Sequence, residues 1–134
     1  MDAIEAARSL FERGDVGALD PWLHDTVELR PPTYGKSWHG KALVGSLLGF
    51  AGEAMRDFRY TDITEDSALH ILRFEAMIGA ERISGVDVVR CNADGLIVQF
   101  EVFARPPKAV LALRDAMGER VAASPEIAAR MAKG

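Results

Sequence analysis

The chain has 134 residues and a net charge of −4 with an isoelectric point near 5.4, enough for one domain (1–134) with a real core. No basic block interrupts that balance, which argues against a nucleic-acid partner, and no apolar run approaches the length of a membrane span. The single cysteine, Cys91, excludes an internal disulfide. With no basic-then-apolar leader at the N-terminus, it points to a cytoplasmic protein.

The first helix opens on a capping-box pattern, Asp2-Ala-Ile-Glu5, carries an apolar stripe of Ile4, Ala7, Leu10 and Phe11, and stops at Gly14. Asp15 starts a short second helical segment that runs through Pro21 to Leu23, and a strand over Thr26–Arg30 ends at Pro31-Pro32. The stretch Lys41–Met55 predicts a helix apolar on most sides. Gly45, Gly49 and Gly52 fall at helical spacing on it, which implies close approach of another element. The spacing then predicts strands over Phe58–Thr64, Ala68–Ile78, Glu81–Cys91 and Leu96–Ala104. A helix follows Pro106-Pro107 with the stripe Val110, Leu113, Met117 and Val121, and Ser124-Pro125-Glu126 begins a short terminal one. This order describes an α+β domain. Its sheet has one face covered by helices, and a second copy of the chain is the economical cover for the other.

The segment GVDVVRCNADGLIVQFEVFARP, residues 85–106, reads as a hairpin around the turn residues Asn92-Ala93-Asp94-Gly95. Closing the loop between Cys91 and Leu96 sets Val89 opposite Val98, Asp87 opposite Phe100 and Gly85 opposite Val102. Alternation then puts Asp87 on one face with Val89, Cys91, Leu96, Val98, Phe100 and Val102. It is the one carboxylate on the oily side of the hairpin, and a one-residue slip in the turn would reverse its face. A carboxyl among such neighbours loses hydration and favours its neutral, hydrogen-donating form. The plainer reading is that Asp87 pairs with an arginine or a backbone donor and only holds the fold.

Four stretches carry a family resemblance: ARSLFERGDVGALDPWLHDTVEL, WHGKALVGSLLGF, GVDVVRCNADGLI and FEVFARPPKAVLALRDAMGERV. They resemble the opening helix and first strand, the glycine-started helix, the strand–acidic turn–strand and the last strand of the nuclear transport factor 2-like superfamily, in its SnoaL-like and ketosteroid-isomerase-like branch. The resemblance covers nearly the whole chain. It implies a cone-shaped, curved antiparallel sheet wrapped by N-terminal helices around an apolar pocket, with an added C-terminal helix and frequent homodimerisation. Fold alone does not choose an activity within this superfamily.

Ketosteroid isomerases use a carboxylate base on the first strand, with a tyrosine and a protonated aspartic acid as donors to the developing oxyanion. By the resemblance, the aspartic acid falls on Asp87, the tyrosine position on Ala7, and the base position on Leu29 or Arg30. Two of the three groups are therefore missing, and a standard steroid isomerase is not expected. The Arg-x-Asp of limonene epoxide hydrolases invites comparison with Arg73-Phe74-Glu75. Strand parity, however, turns Arg73 and Glu75 away from the apolar face of His70, Leu72 and Phe74. The acid that SnoaL-type cyclases need on the last strand has its nearest counterpart in Glu101, which also has outward parity.

The candidate catalytic residues are thus Asp87, with His70 or Arg30 assisting. The plainer reading of His70 is a strand-end histidine that is solvated or satisfied by backbone, and that of Arg30 a surface residue before the proline pair, on the same face as Glu28. Val89, Val98, Phe100 and Val102 on the hairpin, and Leu72 and Phe74 on the strand before it, are candidate substrate-binding residues. Glu28, Leu29 and Tyr34 join them, and Trp38 and His39 share the loop that overhangs the mouth. The scattered histidines and lone cysteine supply no metal-ligand spacing, and no phosphate loop is present, so neither metal nor cofactor is expected. Two functions stay open. One is a cofactor-free isomerase, cyclase, lyase or hydrolase acting on a compact apolar substrate with a carbonyl-type oxygen. The other is a non-catalytic carrier or dimeric interaction module. A third possibility is a pocket filled by the chain's own Phe74, Met77 and Phe100.

Overall fold

The structure is a computed structural model that describes residues 2–133, the side chain of Val16 excepted. Helix α1 (Ala3–Arg13) begins at the expected capping box: the Glu5 amide donates to Asp2 Oδ1 at 2.8 Å and the Asp2 amide to Glu5 Oε2 at 3.4 Å. Its buried stripe is Ile4, Ala7, Leu10 and Phe11, and Gly14 forms the left-handed C-cap. A 3-10 helix over Val16–Trp22 carries the chain through Pro21 into strand β1 (Leu23–Arg30). After the two-residue strand β2 (Trp38–His39), which the sequence reading did not resolve from its loop, comes α2 (Lys41–Ala54). Strands β3 (Arg56–Asp66), β4 (Leu69–Ile78), β5 (Glu81–Cys91) and β6 (Ile97–Arg105) follow, and α3 (Pro107–Ala122) and α4 (Pro125–Lys133) close the chain.

The strands form one curved, open sheet in the order β2-β1-β6-β5-β4-β3. The run from β3 to β6 is antiparallel, whereas β1 lies parallel to β6. Alternation along each strand fills the concave face: Val27 and Leu29 on β1, Phe58 and Tyr60 on β3, Leu72 and Phe74 on β4, Val89 on β5 and Phe100 on β6 are all buried. Helices α1 and α2 supply the opposite wall with Phe11, Leu43, Val44, Leu47 and Leu48. The centre is aromatic. Phe58 stacks on Phe74 with ring centroids 5.3 Å apart and meets Tyr60 edge-on at 4.9 Å, while Phe11 lies 5.2 Å from Phe58 and 6.0 Å from Phe100.

The glycine spacing on α2 has a local cause in one residue. A Cβ on Gly45 would meet the carboxylate of the exposed Asp20, whose side chain would have to swing aside, so the 3-10 helix lies close against α2 there. The hairpin register differs from the sequence reading by two residues. Val89 faces Phe100, Asp87 faces Val102 and Gly85 faces Ala104. The Asn92 side chain accepts the amides of Asp94 and Leu96 at 3.0 and 3.1 Å, and the Asn92 amide donates to the Leu96 carbonyl, so the loop closes at Asn92. Val98 is then the extra residue of a bulge between the pairs Arg90–Gln99 and Cys91–Ile97. Because the net displacement is even, Asp87 keeps its predicted face. Val98 loses its predicted place, which the fully buried Ile97 takes.

Candidate functional site

Asp87 sits mid-strand on β5, between Leu72 of β4 and Val102 of β6. At 3 % exposure it is the one buried charged residue among those described. Its partner is Tyr60, whose hydroxyl donates to Asp87 Oδ2 at 2.6 Å from two strands away on β3. The Tyr60 amide donates to Glu12 Oε2 on α1 at 3.1 Å, beside an irregularity in β3 between Tyr60 and Asp62. This bond ties the tyrosine's backbone to the first helix. Two residues before Asp87, a Cβ on Gly85 would meet the Phe103 carbonyl and come within 2.8 Å of the Ala104 Cα. Glycine there lets β6 approach closely and fixes the strand that carries the acid.

Burial raises the Asp87 carboxyl from its ordinary 3.8 to about 7, and the Tyr60 hydrogen bond offsets part of that rise. Burial also pushes the Tyr60 hydroxyl well above its ordinary value, and the neighbouring Asp87 adds to the effect. Tyr60 is therefore a fixed neutral donor, and Asp87 is the group that changes protonation near neutral pH. With Oδ2 held by Tyr60, Oδ1 has no protein hydrogen-bond partner among the described residues.

Asp87 lines a narrow cavity of about 60 Å³ between the concave face and the helices. Phe11, Leu29, Leu47, Phe74, Phe100 and Val102 are among its walls, together with Thr33, Met117 and the prolines 31 and 32. Apart from Asp87, no ionisable side chain lines it among the described residues.

The other sequence candidates fall in three places. Leu29, Phe74, Phe100 and Val102 line the cavity with Asp87. Leu72 and Val89 share its face but are wholly buried beneath the surface that the cavity exposes, while the bulge takes Val98 away from it. Arg30 and Glu28 are on the outer face. Arg30 Nε lies 3.2 Å from Glu28 Oε1 and its Nη1 3.8 Å from Glu101 Oε1, and the Arg30 side chain is 45 % exposed. Strand parity explains this, since Leu29 is the inward residue and both of its neighbours point outward. The expected assistance of Arg30 to Asp87 is thereby corrected.

His70 is paired with Val89 and Glu65, with Nδ1 3.3 Å from Glu65 Oε2 but not aligned for a hydrogen bond. It occupies the strand end beyond Leu72 and does not line the cavity. Tyr34 is exposed over a neighbouring hollow. Arg73 and Glu75 point outward as their parity requires, paired with Asp62 and Arg59. The position that the resemblance assigns to a tyrosine, Ala7, is fully buried core.

Sequence reasoning missed Tyr60. Its signal was the alternation of Phe58 and Tyr60, which marks an inward face. Hairpin pairing relates only adjacent strands, whereas the Tyr60 side chain reaches across β4.

A curved sheet closed over by helices, with one carboxyl at the floor of an apolar cavity, defines a pocket protein of the α+β cone class. A solved structure of an uncharacterized bacterial protein with a cystatin-like fold from Silicibacter pomeroyi is 35 % identical to this chain. It covers 96 % of this chain and 92 % of its own, with a TM-score of 0.91. A steroid delta-isomerase from Pseudomonas aeruginosa is 30 % identical, with 90 % of each chain covered and a TM-score of 0.85. An NTF2-like protein of unknown function from Burkholderia xenovorans shares the fold at 17 % identity, covering 78 % of this chain and 81 % of its own, with a TM-score of 0.69. No family model and no curated protein matches the chain. The chain belongs to the nuclear transport factor 2-like superfamily. Among the described residues, no helix is long and apolar enough to cross a membrane.

Proposed function

We propose that the protein is a cofactor-free acid–base enzyme that binds a compact apolar molecule through a carbonyl-type oxygen. One observation carries this reading: a carboxyl that titrates near neutrality is buried in an apolar cavity, with one oxygen anchored by Tyr60 and the other unpartnered. In the neutral form, Oδ1–H donates to the substrate oxygen and stabilises negative charge that develops there. In the ionised form, the same oxygen accepts a proton from the carbon next to the carbonyl. Excluding water from the site strengthens both interactions.

The likeness to a steroid delta-isomerase supports chemistry next to a carbonyl. The set of side chains around Asp87 differs from the one the resemblance implied, since the tyrosine reaches it from β3. His70 and Arg30 lie outside the cavity, so Asp87 is assigned the proton transfers without them.

A second reading, a carrier that returns its ligand unchanged, is favoured by the lack of another ionisable side chain in the cavity among the described residues. A thermal-melt screen of the wild type and Asp87→Asn against enones, lactones, terpenoids, aromatic ketones and steroids finds the ligand. Incubating each hit in heavy water then separates the two readings. Deuterium entering next to the carbonyl with the wild type, and not with Asp87→Asn, supports the enzyme. Binding without exchange supports the carrier.

The outer face of the sheet carries Phe103 and Ile71, both exposed, beside the Val86 strand position that pairs with Phe103. We propose that a second copy of the chain covers this face, in a cytoplasmic homodimer with no nucleic-acid or membrane partner. Sedimentation of wild type and Phe103→Glu tests it: a dimer that becomes a monomer supports the assignment, and a wild-type monomer refutes it.

A further inference from the structure

The cavity at Asp87 is not the end of the apolar space. A second hollow, of about 230 Å³, lies beside it under α3 and α4. The two share Leu29, Pro31, Thr33, Leu47 and Met117 as a common wall. Beyond that wall the second hollow is lined by Trp38, Val121 and Met131, among others, and by no charged side chain among the described residues. Each of the larger surface hollows, in contrast, includes at least one arginine or lysine. Trp38, Met117, Val121 and Met131 are only half-buried, so the chain's own packing leaves this concave apolar surface partly open.

The two volumes constrain what fits. Some 60 Å³ beside Asp87 admits a polar head of a few atoms, and Phe74 and Phe100 must move before a fused ring system can enter. The roomier hollow is about four times larger and wholly apolar at its walls, apart from the hydroxyls of Thr33 and Tyr34. Resting on the reading of Asp87 above, we infer that the substrate is a slender aliphatic carbonyl compound. Its oxygen sits at Asp87, and its alkyl chain passes Leu29, Leu47 and Met117 to lie against Trp38, Val121 and Met131. The final helices, in addition to covering the cone, build the subsite that measures chain length.

The experiment titrates wild type with a series of 2-alkanones from 2-butanone to 2-decanone. It follows the indole N–H resonance of Trp38, assigned with Trp38→Phe. The dissociation constant is expected to fall roughly fourfold per added methylene while the chain lies in the apolar hollow. The Trp38 resonance is expected to move with the longer ketones and stay fixed with 2-butanone. Gly118 lines only the outer hollow, and a Cβ there meets nothing within 4 Å. Gly118→Phe therefore fills the hollow while favouring the helix. It is expected to abolish the gain with chain length and leave 2-butanone binding at the wild-type level.

Affinity independent of chain length, an unmoved Trp38 resonance, or no binding of any ketone overturns the inference. The reading of Asp87 fails separately. If the chain-length series is the same in wild type and Asp87→Asn, the alkyl subsite stands and the head-group assignment falls. If Asp87→Asn weakens every ketone by one common factor, both stand.

Discussion

Two carboxylates of one sheet show how much its two faces differ. Glu28, on the outer face of β1, accepts a hydrogen bond from Gln99 Nε2 at 2.8 Å and lies 3.2 Å from Arg30 Nε. Its carboxyl is lowered from 4.5 to about 2, chiefly by the Gln99 hydrogen bond and further by Ser37 and Arg30, against some desolvation. Asp87, on the inner face of β5, has one neutral donor and an apolar cavity, and its carboxyl rises to about 7. At neutral pH the outer carboxylate is a fixed anion in a polar network, and the inner one exchanges a proton. Strand parity assigns each to its face, and the surroundings of that face then set the chemistry.

The largest expected effect comes from removing the inner acid's titration. Below 3.8 the Asp87 carboxyl is protonated in folded and unfolded chains alike. Between that value and about 7 the folded chain keeps a proton that the unfolded chain has released, so Asp87's contribution to stability falls as pH rises and is lost above about 7. The loss is on the order of 4 kcal/mol across the window. Urea unfolding of the wild type from pH 4.5 to 8.5 is expected to show this decline, and Asp87→Asn is expected to flatten it. A decline of equal size in the variant would assign it to other groups.

Next in size is Gly85→Ala, whose methyl meets the Phe103 carbonyl. Forcing β5 and β6 apart beside Asp87 is expected to cost about 3 kcal/mol, read as a lower urea midpoint with unchanged slope. A neutral effect would mean that the strands separate freely there. Tyr60→Phe is expected to cost about 2 kcal/mol by leaving Asp87 Oδ2 without its donor. It also removes the influence that lowers the Asp87 carboxyl, so the fall in stability, which still begins near 3.8, extends to higher pH. A shift toward lower pH would contradict the hydrogen bond's direction.

The smallest effect belongs to the outer face. Glu28→Gln is expected to change stability at neutral pH by at most about 1 kcal/mol, because its partners are partly solvated. Its depressed carboxyl contributes stability above 4.5 that is lost as pH falls through about 2, so the variant is expected to be less sensitive to acid. Ligand binding is expected to be unaffected, which a melt screen with any hit from the Asp87 comparison checks. A Glu28→Gln loss matching that of Asp87→Asn would erase the distinction between the faces.

Local signals reached most of the fold. The capping box at Asp2 and Glu5, the Pro31-Pro32 stop, the bounds of β5 and the start of α3 at Pro107 all follow from residues adjacent in sequence. The face of Asp87 was legible because parity survives an even change of register. The register itself was not, since it depends on the Asn92 side chain closing its own loop and on the bulge at Val98. Val98 was therefore placed wrongly beside the acid. Tyr60 was hidden for another reason: its bond to Asp87 spans a strand, and curvature rather than pairing brings the two together. Curvature is a property of the whole sheet. The second hollow was equally out of reach, since it lies where α2, α3 and α4 meet the loop at Pro31.

The account stands on Asp87 holding a proton at the floor of an apolar cavity. The most direct test is a carbon-13 NMR titration of its carboxyl carbon, assigned with Asp87→Asn. A midpoint near 7 that moves upward in Tyr60→Phe is the predicted result. A midpoint near the ordinary 3.8 would mean a solvated carboxylate, and with it the proposed proton donor would be lost.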